Sequence, residues 1–87
     1  MPDIVLYGAR DCALCTSAEA VLDRLAHELG FDYRKVDIGG SAALEAAYRE
    51  HIPVVEIDGE RAFTHFVPPQ ALRERLEVWS ENLRPNL

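Results

Sequence analysis

Ile4-Val5-Leu6-Tyr7-Gly8-Ala9-Arg10-Asp11-Cys12-Ala13-Leu14-Cys15 is the stretch that decides how this chain is read. The apolar run from Ile4 to Tyr7 stops at Gly8, as a strand buried on both faces does. Beyond the cysteines, Leu14, Ala18, Val21, Leu22, Leu25 and Leu29 recur at helical spacing. Glu19, Asp23, Arg24 and Glu28 are left for the wet side. Gly30 stands where a helix C-terminal glycine belongs. The two cysteines therefore open a helix directly after a strand.

That placement carries chemistry. Only a thiolate attacks a disulfide. Unpaired N–H groups and the positive end of the helix macrodipole stabilise negative charge at a helix N-terminus. Cys12 is expected to be the exposed nucleophile, with Cys15 one turn along as the inward-facing resolving thiol. Arg10 favours a thiolate at Cys12. Asp11 opposes it and competes for the same helix-end donors. A structural staple is the alternative, but a loop this short stabilises by only roughly 2 kcal/mol, against about 3 for fifteen residues. Structural zinc wants four ligands. The chain has two cysteines, and His27, His51 and His65 show no ligand spacing. Burial as inert core thiols suits Cys15 better than Cys12.

Working outward, Phe31–Ile38 is rich in aromatic and β-branched residues and predicts a second strand. Gly39-Gly40 is a turn, and Ser41 caps a short helix holding Leu44, Ala47 and Tyr48. That helix ends near His51, because a residue before proline, here Ile52, is pushed out of the α region. Val54–Ile57 is a third strand, Asp58-Gly59 a hairpin signal, and Glu60–Phe66 the returning fourth strand. Pro68 or Pro69 suits a first helical turn. Leu72, Leu76, Trp79 and Leu83 form the apolar stripe of the last helix. The order β-α-β-α-β-β-α, with a right-handed crossover in its first unit, predicts an α/β fold. It is one mixed four-stranded sheet covered by three helices, in a single domain over residues 1–87. Tyr7 and Trp79 read as core residues.

Composition narrows the function classes. The 87 residues carry a formal charge of −6, and the longest basic run is Arg34-Lys35, so no nucleic-acid partner is expected. No stretch approaches the roughly 20 apolar residues that span a bilayer, so no membrane partner is expected either. No leader is expected from the residues at the start. The expected setting is the cytoplasm, where a cysteine pair is more often catalytic or metal-binding than structural. A monomer is the expected state.

The chain resembles glutaredoxins, and more closely a group of short bacterial glutaredoxin-like proteins. The resemblance rests on Leu6-Tyr7-Gly8, Cys12-Ala13-Leu14-Cys15, Val36-Asp37-Ile38, His51-Ile52-Pro53-Val54-Val55 and Ile57-Asp58-Gly59, in that order. It implies a thioredoxin-like fold with a cis Pro53 facing the cysteines, and thiol–disulfide oxidoreductase activity on protein or low-molecular-weight disulfides. It also implies that the Ile52 backbone pairs with an extended substrate. Arg10, Leu14, Ile52 and Pro53 are the substrate-binding candidates. His51 would stand near Cys12 if Pro53 does, although a surface histidine ending a helix is the plainer account. His65 has no stronger claim.

Two departures matter. Ala13-Leu14 stands where glutaredoxins carry Pro-Tyr. Phe63-Thr64-His65-Phe66-Val67-Pro68-Pro69 stands where they carry a glycine pair and an acid that hold glutathione. Glycine lets a backbone approach a ligand closely, so its loss argues against glutathione, the one cofactor the resemblance suggests. The alternative function is a non-catalytic binding module on the same fold: an adaptor, a redox sensor or a metal carrier.

Overall fold

The computed structural model describes residues 2–83, with side chains described as far as Glu77. Seven elements follow one another: β1 (Ile4–Gly8), α1 (Ala13–Leu29), β2 (Arg34–Asp37), α2 (Ala42–Tyr48), β3 (Val54–Ile57), β4 (Glu60–Thr64) and α3 (Pro69–Leu83). The strands form one sheet in the order β2-β1-β3-β4. β1 pairs parallel with β2 through the α1 crossover, and the other two pairings are antiparallel. This is the thioredoxin-like β-α-β-α-β-β-α arrangement expected from the sequence.

Alternation along the strands divides the sheet into two faces. Ile4 and Leu6 of β1 and Val55 and Ile57 of β3 turn toward α1 and α3. There they pack with Ala18, Leu22, Leu25, Phe31, Val67, Leu72 and Leu76 as the main core. Each fully buried leucine stabilises by about 1.5–3 kcal/mol relative to exposure. Arg73 ion-pairs with Glu28, joining α3 to α1 at the rim. Tyr7, Val54 and Glu56 lie on the opposite face. The Tyr7 ring stacks on Tyr48 of α2 at 4.2 Å between centroids, and the Tyr48 hydroxyl donates to Glu56 at 2.7 Å. Tyr7 is thus half-buried beneath α2 rather than in the main core.

Local chemistry sets the element ends. Gly30 takes the left-handed conformation (φ 75°) and donates its N–H to the Ala26 carbonyl, closing α1. The Phe31 N–H reaches the same carbonyl at 3.2 Å. Phe31 is therefore spent on the helix end and on the core, and β2 starts only at Arg34, later than its composition predicts. Ser41 Oγ accepts the Leu44 N–H at 3.2 Å and starts α2, which ends at Tyr48. Asp58 and Gly59 both have positive φ (53° and 83°), as a two-residue hairpin of matching twist requires. Pro69 opens α3.

Two further expectations are corrected, and one falls on residues whose side chains are not described. Leu14 and Leu29 are exposed, at 52% and 37%, so the buried stripe of α1 is narrower than its apolar spacing. β4 ends at Thr64 instead of Phe66, because His65 turns to φ 66° and leaves the ladder. Phe66 is consequently 63% exposed. The Trp79 and Leu83 side chains lie outside the described residues.

Candidate active site

The chain leaves β1 at Gly8 and must reverse within three residues to start α1. Asp11 makes that turn in the left-handed region, at φ 56°. Cys12 follows in extended conformation (φ −117°, ψ 106°) and is the N-cap of α1. Its sulfur accepts the Cys15 N–H at 3.1 Å. A serine or aspartate oxygen ordinarily fills that place. Here a sulfur fills it, so one of the orphan donors of the helix end points at Cys12 Sγ. The Cys12 carbonyl meanwhile accepts the Thr16 N–H at 3.1 Å, the first bond of the helix. A negative sulfur at this position gains both from that N–H and from the helix dipole.

Cys12 is half-buried and Cys15 is buried. The two are joined as a disulfide with Cα atoms 5.2 Å apart. Cys15 lies on the inward side of α1 with Ala18 and Leu22, as its one-turn offset predicts. Gly8 makes room for it: a Cβ at position 8 would lie 3.2 Å from Cys15 Sγ. A cavity of about 250 Å³ opens behind Cys15 toward β2, lined among others by Gly8, Arg10, Glu19, Lys35 and Asp37. Lys35 and Glu19 pair across its wall at 2.7 Å, and that hydrogen bond raises the Lys35 pKa.

The flanking charges resolve simply. Asp11 does not cap α1, since Cys12 holds that place. The Arg10 guanidinium leans toward Asp37 at 3.9 Å, with both side chains exposed. A pair this long and wet is worth little, so Arg10 stays a mobile positive charge at the β2 side of the site. Leu14, the second residue between the cysteines, projects into solvent.

On the other side of β1 lies the segment before β3. Tyr7 pairs with Val54, so the same register sets Pro53 level with Gly8, the residue that Cys15 packs against. The Ile52–Pro53 peptide is cis, as the family resemblance implies. The carbonyls of His51 and Pro53 both accept the His65 N–H, at 3.2 and 2.8 Å. Among the described residues no main-chain hydrogen bond of Ile52 is found. The sequence-predicted site residues are thus divided. Cys12, Cys15 and Leu14 sit at the start of α1, Arg10 on the β2 side, and Ile52 and Pro53 on the β3 side.

Two residues of this end escaped sequence reasoning. Thr64-His65-Phe66 reads as continuing strand, since aromatic and β-branched residues favour one. Instead His65 bends the chain back, and the Phe66 N–H bonds the Thr64 carbonyl at 2.7 Å in a three-residue turn. His65 Nε2 lies 2.8 Å from the Glu50 carbonyl, and its ring centroid 6.1 Å from that of His51. The one available signal was negative: glycine is missing where the resemblance asks for it.

With this geometry in view, the comparisons agree. A family model described as Glutaredoxin-like domain (DUF836) matches residues 3–77. Uncharacterised proteins of Mycobacterium tuberculosis and Mycobacterium bovis are 33% identical over 63 residues, covering 67% of this chain and 65% of theirs. Among solved structures, a structural-genomics target protein from X. campestris superposes with a TM-score of 0.72 at 31% identity, over 86% of this chain and 96% of that one. A thioredoxin variant from Halobacterium salinarum superposes with a TM-score of 0.67 at 27% identity, over 97% of this chain and 78% of that one. The chain belongs to the glutaredoxin-like domain family and has the thioredoxin fold.

Proposed function

We propose that this protein is a dithiol–disulfide oxidoreductase in which Cys12 is the nucleophile and Cys15 the resolving thiol. The observation that carries this reading is the Cys15 N–H donated to Cys12 Sγ at the N-cap of α1. The Cys12 thiolate attacks a disulfide R–S–S–R′. A Cys12–S–R bond forms, and R′S⁻ leaves with the electron pair and takes up a proton. Cys15 then loses its proton and attacks Cys12 Sγ. The Cys12–Cys15 bond forms and RS⁻ departs. The substrate is reduced and the protein oxidised by two electrons, which a dithiol or thiol donor restores.

The surroundings favour an extended polypeptide as the substrate. Leu14 and Phe66, the two most exposed large apolar side chains among the described residues, both belong to segments at this end of the sheet. The Ile52 backbone, placed between them in the fold, offers a short strand-addition contact, and Arg10 offers a charge on the β2 side. A reducing compartment such as the cytoplasm would keep the pair as a dithiol between turnovers. Among the described residues no group of three or more His, Cys, Asp or Glu is placed to hold a metal ion. No helix among them is long and apolar enough to cross a membrane.

The test is reduction of a protein disulfide by the dithiol form, compared with Cys12→Ser. Activity that disappears in the variant is the expected result. Equal, slow activity in both refutes the assignment. Offering the oxidised protein reduced glutathione and, separately, a thioredoxin reductase system then identifies the donor.

A further inference from the structure

His65 is exposed, has no place in the exchange chemistry, and yet makes more backbone contacts than its neighbours. Its N–H is shared between the carbonyls of His51 and Pro53, at 3.2 and 2.8 Å. Its Nε2 reaches the Glu50 carbonyl at 2.8 Å. A carbonyl only accepts, so Nε2 carries the proton. His65 achieves this from φ 66°, at the centre of the turn closed by Phe66 N–H on the Thr64 carbonyl. A histidine is uncommon there, where glycine carries no steric cost. A strained residue persists only where its surroundings over-determine it, and such residues cluster where the strain serves a site.

The partners of His65 say what that service is. Glu50, His51 and Pro53 bracket Ile52, the residue whose main chain is offered to the substrate. We propose that His65 is a positioning residue for disulfide exchange: it clasps the segment from Glu50 to Pro53 from both ends and holds the Ile52 backbone at the height where a substrate strand docks. The inference rests on the oxidoreductase reading above. It adds that binding of the polypeptide, not reactivity of Cys12, depends on the β4–α3 turn. A clasp by side chain and main chain thus takes the place of the close backbone approach that a glycine pair would allow.

The experiment compares wild type, His65→Gly and His65→Asn in steady-state reduction of an oxidised peptide, alongside iodoacetamide alkylation of Cys12 and amide hydrogen exchange at residue 65. Glycine keeps the left-handed turn and removes the ring. Asparagine tolerates the same φ and restores a side-chain donor. Loss of one side-chain hydrogen bond predicts a KM about three- to tenfold higher in His65→Gly. Its kcat and Cys12 alkylation rate stay within about twofold of wild type, and the residue-65 amide exchanges faster. His65→Asn falls between the two. An active wild type with unchanged KM in His65→Gly overturns the clasp alone. Parallel loss of kcat, KM and alkylation rate overturns it too, because it marks a general structural role. A wild type inert toward disulfides overturns the oxidoreductase reading, and the clasp with it.

Discussion

The two ends of the sheet are built on opposite principles. At one end, β3 and β4 are joined by Asp58-Gly59, a turn whose two positive φ values fall on residue types that accept them. Asp3 lies against it, giving its N–H to the Asp58 carboxylate at 2.9 Å and accepting the Asp58 N–H at 2.8 Å. Backbone needs are met there by regular turn chemistry, and Leu29 at the close of α1 is exposed only to 37%. At the other end the chain enters the left-handed region at Asp11 and at His65, and the Ile52–Pro53 bond is cis. That end also holds both cysteines and the exposed Leu14 and Phe66. Both cysteines, the left-handed His65 and the two most exposed large apolar side chains among the described residues thus share the end where exchange is proposed, while the other end connects two strands through a turn of matching twist.

The largest effect that would sharpen this contrast comes from Cys15→Ser. Without the resolving thiol, Cys12 should form mixed disulfides that do not release, and mass spectrometry after exposure to an oxidised peptide should show a stable adduct. Rapid release without Cys15 would show that resolution does not run through this pair. A smaller effect is expected from Gly8→Ala. The new Cβ meets Cys15 Sγ at 3.2 Å, tight enough to displace the resolving sulfur. Adduct release should slow about three- to tenfold while Cys12 alkylation holds, given how steeply such steps depend on placement. Gly59→Ala makes the matching change at the other end. No atom obstructs a Cβ there, but φ is 83°, so stability should fall by roughly 1–2 kcal/mol in chemical denaturation, with exchange kinetics intact. If Gly59→Ala also slowed exchange, the two ends would not be independent.

The smallest effect lies on the α2 face. The hydrogen bond to Glu56, aided by burial, raises the Tyr48 pKa, and burial followed by the bond to Asp23 raises that of Tyr33. A phenol whose folded pKa is raised contributes stability that is complete below its unfolded value of about 10 and is lost as pH climbs through the folded value. Phenolate absorbance should therefore keep developing above that point and coincide with alkaline unfolding. Tyr48→Phe should remove part of the late signal. A titration in which Tyr33 and Tyr48 both ionise near pH 10 would contradict this.

The regular end was legible in the sequence because each of its signals is local. Asp58-Gly59, the β-branched Val54, Val55 and Ile57 before it, and the glycine after α1 each specify geometry within a few residues. The cysteine pair was legible for the same reason: strand, turn and helix start are adjacent in the chain. What stayed hidden depends on contacts distant in sequence. Nothing in Thr64-His65-Phe66 announces a left-handed histidine, since its reason lies at Glu50, His51 and Pro53. Leu14 and Leu29 fit the apolar spacing of α1, and only the packed fold shows that the sheet does not reach them. Sulfur as the N-cap was also out of view, because Asp11 is the better capping residue by type and loses the position to the turn it makes.

The central claim is that backbone amides at the start of α1 make Cys12 acidic. The rate of Cys12 alkylation in the reduced protein, followed across pH with Cys15→Ser as background, tests it directly. The account predicts an apparent pKa well below the value of about 8.5 for a free thiol. A Cys12 that titrates at or above that value would contradict it.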